Sequence, residues 1–389
     1  MRGLRGGLWL GGALAVTLGA VGSLPKAEMV IHEWGTITTV HAADGTPQGG
    51  LNKIEESEVL PPFVHRYEPE STRFDPKKKL VKAPLVPGRP DVTLRLETPV
   101  IYFHPPAGKQ YDTPIDVAVQ FRGGVINEFY PNAAASVRLD TARISEKISA
   151  GVIPRQWTGE VLNNFVVGSL AWKGVKLHDT VSAPLTQDPV WLAPRDVQAA
   201  SVFLPDSGEG ERYLFYRGVG ALPALLQTRL KSGQITVSAP ANLVWLEADS
   251  VALPNVWHVD VRENHTIAFR EHGALTLHKA QAGKEVGRFK RFSNSDYAAA
   301  NLQGLRASLK AALIKDGLFA DEAEAMLNTW KHSYFEKPGL RVFYLVPRVW
   351  TDHFLPLTFS VPARVNRVIV GRIDLAPEGL RICTPLSGC

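Results

Sequence analysis

Apolar and polar positions alternate along much of the chain between Met29 and Lys279, the period of strands with one face toward a core. Val92, Leu94 and Leu96 alternate with Thr93, Arg95 and Glu97. In DVAVQFRGGVINEFY two apolar-rich runs flank Gly123-Gly124, a pair suited to the positive φ of a tight turn, which predicts a hairpin. VLNNFVVGSLAW, ERYLFYRG, LVWLEA and VWHVDV add further strands, and HTIAFR and ALTLHK make another pair joined through Glu271, His272 and Gly273. The expected fold is mostly β, an antiparallel β-sandwich-like body, because two packed sheets are the common way to bury many such strands.

Near Ser295 the period changes. Leu302, Leu305, Leu309 and Leu313 recur at helical steps, with Ser295 or Asp296 as a candidate N-cap and Asp316-Gly317 as a candidate stop. Ala323, Met326, Leu327, Trp330 and Tyr334 define one face of a second helix, with Asp321, Glu322 and Glu324 near the positive end of its dipole. After Pro338-Gly339 the runs LRVFYLV and VNRVIVGRIDL return to strand, with apolar centres that predict burial on both faces. The organisation expected is a signal peptide over 1–22, a β-rich body over 23–294, an inserted α-helical hairpin over 295–336, closing strands over 337–380 and a tail over 381–389. Pro61 to Pro90, with Lys77, Lys78 and Lys79, reads as an irregular excursion.

The signal peptide rests on Arg2 and Arg5 ahead of the apolar run Leu8 to Val21, with small residues at Ala20 and Gly22. That run is shorter than the roughly 20 residues a membrane-spanning helix needs, and no later stretch is long and apolar enough to span. The expected location is therefore the periplasm or the medium, with no transmembrane segment after cleavage. At 45% hydrophobic and 21% charged residues the composition is that of a folded globular protein. Losing Arg2 and Arg5 lowers the formal charge from +5 to +3, too small and scattered an excess for nucleic acid. Cys383 and Cys389, in CTPLSGC, can close a small disulfide loop in an oxidising compartment, where it would order the tail and not the core.

The segments IHEWGTITTV, LETPVIYFH, LFYRGVG and GLFADEAEAMLNTWKHSYFEKPGLRVFYLVPR resemble a family of exported bacterial proteins usually described only as uncharacterised. The resemblance runs over nearly the whole mature chain and implies bacterial export and one shared fold. It implies no activity, cofactor or catalytic residue, so the chemistry has to be read from residue types.

The familiar catalytic signatures are missing. Gly168-Ser169 lacks the glycine of a nucleophile elbow, and GVGALP at Gly218 has Pro223 where a dinucleotide-binding loop needs its third glycine. No Walker A loop, CxxC pair or HExxH helix occurs. Candidate chemistry comes down to four carboxylate and imidazole groups, His32, Glu33, Glu97 and Glu128, and to polar or aromatic binding residues, Trp34, Tyr216, Arg217, Arg341 and Arg348. Glu97 and Glu128 sit at strand ends beside Tyr102-Phe103 and Phe129-Tyr130, the layout of a carboxylate pair for glycoside hydrolysis; alternation supports better the reading of Glu97 and Arg95 as two surface charges on one strand. His32 and Glu33 would point apart on a regular strand, yet a bend at Gly35 could turn both toward one cavity. Possible metal pairs are His32 with Glu33, His258 with Asp260, His265 with His272, and Asp352 with His353. Arg217 and Arg341 lie among aromatics and need either a buried carboxylate or an anionic ligand.

Two function classes fit these residues. One is a noncatalytic exported β protein that binds a glycan, peptide or envelope partner. The other is an extracellular hydrolase using a carboxylate pair or a metal, with cofactor and metal identity left open. Convergence of at least three of His32, Glu33, Glu97, Glu128, Arg217 and Arg348 in one cleft would favour the hydrolase; local pairing of each charge would favour the binding protein.

Overall fold

The first strand, β1 (Met29–His41), is buried along almost its whole length, although nearly half of its residues are polar. Both of its faces are covered, which makes its polar residues the main structural problem of the fold. The computed structural model describes residues 28–51, 60–67, 92–106, 111–140, 149 and 165–376, without 223, 233 and 244. The expected signal peptide and the Cys383–Cys389 pair lie outside these residues.

The chain is mostly β, with few helices. The strands of its principal sheet are β1, β2 (Leu94–His104), β3 (Ile115–Arg122), β4 (Gly124–Tyr130), β5 (Val166–His178), β6 (Leu214–Gly220), β7 (Val256–Val261), β8 (Ile267–Glu271), β9 (Gly339–Leu345), β10 (Leu357–Phe359) and β11 (Ala363–Leu375), with short strands attached at the side. Their order is β8-β7-β9-β11-β1-β2-β6-β4-β5-β3-β10. Most neighbours are antiparallel, but β1 and β11 run parallel from Met29 opposite Ala363 to His41 opposite Leu375. The sheet is therefore large, mixed and not closed. A three-stranded sheet (Gln227–Lys231, Gln234–Ser238, Glu285–Lys290) and a two-stranded one (Ser250–Leu253, Leu275–His278) accompany it.

The two hairpins expected from local sequence do not form. β3 and β4 flank Gly123, whose φ of 93° makes the corner, but β5 lies between them in the sheet and takes the ladder bonds of β3. After His272-Gly273 the chain leaves β8 and Leu275–His278 pairs instead with Ser250–Leu253. Glycine at a turn permits a tight reversal; which strand fills the vacant edge is set by the larger apolar burial available from distant segments.

One face of the sheet, carrying Ile31, Ile101, Phe103, Leu214, Tyr216 and Ile369, shares a core with Ile235, Val237, Leu253, Leu277 and Phe289 of the small sheets. The other, carrying Trp34, Val100, Tyr102, Phe215, Phe343 and Val368, packs under α1 (Asn301–Lys315) and α2 (Ala320–Thr329) through Leu305, Leu309, Leu313, Met326, Leu327 and Trp330. The apolar stripes anticipated for the helices are those that are buried. The start differs: Ser293 and Asp296 cap a separate short turn at Asn294–Asp296, and α1 begins at Asn301. Gly317, with φ 117°, ends α1 as anticipated.

The sheet's main irregularity lies on β2. Between the pairs Trp34–Val100 and Thr36–Glu97, β2 has one more residue than β1, and it also has one more than β6 between Phe215–Val100 and Gly218–Leu96. Thr98 takes φ 45° there, and Pro99 presses against β1 so closely that a Cβ on Gly35 would lie 2.9 Å from its Cα. Gly35 thus makes room for a bulge in the neighbouring strand.

Gly371 of β11 faces the ring of Tyr344, its cross-strand partner on β9, and an added Cβ would come 2.1 Å from Tyr344 Cζ. Since Tyr344 is buried and cannot swing out, Gly371→Ala is expected to lower unfolding free energy by ~1–3 kcal/mol, the range for overpacking. Denaturant unfolding measures this, and pairing the change with Tyr344→Leu should recover part of the loss; a neutral single variant would refute the packing described.

Candidate functional site

β1 keeps regular alternation through Gly35, so Glu33 and His32 point to opposite faces. Glu33 stands beside Arg367 and His32 beside Asn366 on the parallel neighbour β11. The bulge on β2 comes after both residues and does not turn them toward one cavity, which corrects the expectation placed on Gly35.

On the face shared with the small sheets, fully buried Glu33 accepts from Tyr216 Oη at 2.6 Å through Oε1 and from Arg367 Nε at 2.6 Å through Oε2. Arg367 Nη1 donates to Asp352 Oδ1 at 3.0 Å, and Asp352 also accepts from Arg348 Nε at 2.8 Å, so the chain of charges runs from the core to solvent. Burial opposes the Arg367 charge, but Glu33, Tyr216 and Asp352 more than offset it and push its pKa up. Burial, reinforced by the Glu33 charge, pushes the Tyr216 hydroxyl well above its ordinary value and keeps it a donor. With both oxygens engaged, Glu33 is a structural ion-pair partner and not a free base.

On the helical face, buried His32 meets Glu322 of α2, with Nδ1 2.6 Å from Oε2. Asn366 Nδ2 lies 3.0 Å from His32 Nε2 and donates to the Gly317 carbonyl at 3.2 Å. That second bond orients the amide nitrogen toward the ring, so Nε2 accepts and the proton sits on Nδ1, donated to Glu322. Glu322 also meets His104 Nε2 at 3.1 Å and accepts from the Phe319 backbone N–H at 2.8 Å. Burial pushes the Glu322 carboxyl up, but the hydrogen bonds from His104, His32 and Phe319 outweigh it and hold its pKa below the usual value. The Phe319 ring packs on both imidazoles, with centroids 4.6 Å from His32 and 4.8 Å from His104.

The other candidates are dispersed. Glu97 lies 3.8 Å from both Arg95 Nε and Arg372 Nη1, and Arg95 and Glu97 are buried, not surface charges as expected, because the helices cover that face too. Arg372 and Arg341 approach Asp374 at 3.4 and 3.6 Å, and Arg341 also donates to the carbonyls of Ser333, Tyr334 and Lys337. Glu128 lies 3.6 Å from both Arg217 and Arg66. Trp34 packs on Tyr102 with centroids 5.9 Å apart, inside the core. Trp34 and Tyr216 are therefore not surface binding residues, and among the nine candidates Arg348 is the well-exposed one. Members of the suggested metal pairs have other partners: His258 meets His272, Asp260 accepts from Tyr297, Asp352 holds arginines, and His353 packs on Phe354. Sequence reasoning missed His104, Glu322 and Asn366. His104 closes the quoted LETPVIYFH run, but Glu322 reads locally as an ordinary acidic residue in a first helical turn.

Away from these groups, an open cavity of about 450 Å³ is lined by Arg270, His272, Arg288, Phe289, Lys290, Arg291, Ser293 and Asp296. Beneath it the rings stack: Phe289 on His272 at 3.7 Å, His272 on His258 at 4.9 Å and His258 on Phe292 at 4.3 Å. Asp296 pairs with Arg270 and Glu285 with Arg288, whereas among the described residues no carboxylate neutralises Lys290 or Arg291. No model of a known protein family matches the chain, and no curated protein matches it.

Two predictions follow from these arrangements. Breaking a buried ion pair from one side leaves an uncompensated charge, so Glu33→Gln and Arg367→Met should each lower stability by ~3–5 kcal/mol. The double variant should lose clearly less than the two losses added, since each single change already removes the pairing; simple additivity in urea unfolding would show the pair to be uncoupled.

The second concerns acid stability. Burial, with His272 beside it, holds His258 down at about 3, and burial holds His41 down at about 4, against an ordinary value of 6.5. Between about 6.5 and about 4 the unfolded chain therefore binds protons that the folded chain refuses, and stability falls as pH falls through that window. His258→Phe keeps a ring in the stack and removes one titrating group, so the slope of stability against pH should shrink. An unchanged slope in denaturant titrations from neutral to mildly acid pH would contradict this.

Proposed function

We propose that the protein is an exported β protein that binds an anionic glycan of the bacterial envelope without cleaving it. The observation that carries this reading is the open cavity, lined by Lys290 and Arg291, which no carboxylate neutralises among the described residues, and by the half-buried His272 ring, which is backed by the buried Phe289. Carboxylated or sulfated sugars need both cationic partners for their acid groups and flat apolar surfaces for their C–H faces. The local pairing of Glu33, Glu97, Glu128, Arg217 and Arg348 supports a noncatalytic reading over a carboxylate-pair hydrolase. Export is proposed from the basic and apolar start of the chain. A sandwich-like body is supported by the core that the small sheets share with the principal sheet.

Calorimetric titration with oligogalacturonate and with an uncharged glucan of equal length tests this. The acidic oligomer should bind and weaken as salt rises, and the uncharged one should not. Lys290→Glu combined with Arg291→Glu should reduce affinity by at least ~10-fold, since two favourable charges become repulsive, with thermal stability unchanged. Equal binding of the two glycans, or acidic binding indifferent to the double reversal, would overturn the reading.

A further inference from the structure

We propose that His32, His104 and Glu322 form a binding site for one divalent transition-metal ion of the zinc type. Each residue offers one ligand atom, and the three atoms lie within 4.8 Å of one another. Two imidazole nitrogens and a carboxylate are a donor set suited to zinc, cobalt or iron in their divalent states, with at least one position left for water or a ligand.

The ligands come from three separately anchored elements. His32 is the fourth residue of the buried β1, His104 ends β2, and Glu322 is in the first turn of α2. Their convergence needs the helical hairpin to dock at one place on the sheet, and no local preference of any of the three produces it. Asn366 supports the set from outside by holding the far nitrogen of His32, the kind of outer partner that orients metal-bound histidines. Metal at Nδ1 requires the His32 proton to sit on Nε2 instead, where Asn366 accepts it through Oδ1 once its amide has turned over and given up the bond to the Gly317 carbonyl. The proton moves from one ring nitrogen to the other, and the neutral ring's charge is unchanged.

Electrostatics points the same way. Glu322 is fully buried, and its partners are the His32 and His104 imidazoles and the Phe319 backbone N–H, with no arginine or lysine pairing with it among the described residues. By contrast, Glu33 and Glu97 on the same sheet each face an arginine. Burying a carboxylate without a countercharge is unfavourable, and a divalent ion supplies the countercharge at the spot where three donors already meet. The Phe319 ring closes one side of the cluster, and the His104 side chain, 12% exposed, gives it contact with solvent.

This inference is independent of the glycan reading, because it concerns different residues and is read without any glycan. The full-length secreted protein, stripped with a chelator and returned to buffer, is titrated with Co²⁺ and with Zn²⁺. The expected result is one metal per chain, visible Co²⁺ absorption from a site with nitrogen ligands, displacement of that colour by Zn²⁺, and a rise in the unfolding midpoint with metal. His104→Ala should abolish the colour while the chelator-treated variant keeps the wild-type circular dichroism. Asn366→Ala, which removes the outer partner together with its bond to the Gly317 carbonyl, should weaken binding by ~10–100-fold. If Glu322→Gln fails to fold, the wild-type titration and His104→Ala still decide the matter. Absence of stoichiometric uptake by the wild type, or uptake unaffected by His104→Ala, would overturn the site.

Discussion

Glu33 and Arg367 stand side by side on two parallel strands that are buried on both faces, and much of the molecule is arranged so that this pair and its neighbours keep their charges. A strand covered on both sides normally reads as a continuous apolar run, because nothing else avoids the penalty of desolvation. β1 breaks that expectation at His32, Glu33, Thr36, Thr38 and Thr39. Parallel pairing with β11 answers part of it locally, setting Asn366 beside His32 and Arg367 beside Glu33 within hydrogen-bond distance.

Side chains from other elements complete the arrangement. Tyr216 reaches Glu33 from β6 on one face, and Glu322 and Tyr334 reach His32 and Thr36 from the helical segment on the other. The hairpin inserted before the closing strands therefore does more than cover apolar surface. It brings a carboxylate to two histidines, and its following turn offers backbone carbonyls to Arg341. Such contacts are directional, and they select one docking of the helices on the sheet where apolar packing alone would tolerate several.

The cavity over the Phe289, His272, His258 and Phe292 stack is built on different terms. Its cations stand on an exposed strand and turn, its imidazoles are held neutral by burial, and buried aromatic rings back the half-buried His272. The central sheet thus concentrates paired, desolvated charge, whereas the small sheet presents charge to solvent, where an external ligand can meet it.

Much of the architecture was legible before any coordinates, because periodicity reports which positions are apolar. The strand-rich body, the helical stripe through Leu305, Leu309 and Leu313, the stop at Gly317 and the double burial of the last strands all follow from residue spacing and backbone preference. The residues of β1 singled out for chemistry are indeed among the buried polar groups, since a histidine and a glutamate between apolar neighbours are visible in sequence. What sequence could not convey is pairing over long separations. Gly123-Gly124 marks a reversal, but β5 occupies the place of the expected hairpin partner; Glu97 alternates like a surface residue, but helices bury it; Glu322 resembles any acidic residue at a helix start, but the docked hairpin puts it against His32 and His104. Local spacing determined the elements and their apolar faces, because those depend on bonds a few residues long. Only the tertiary structure decided which charges meet, because that depends on which distant surfaces exclude water together.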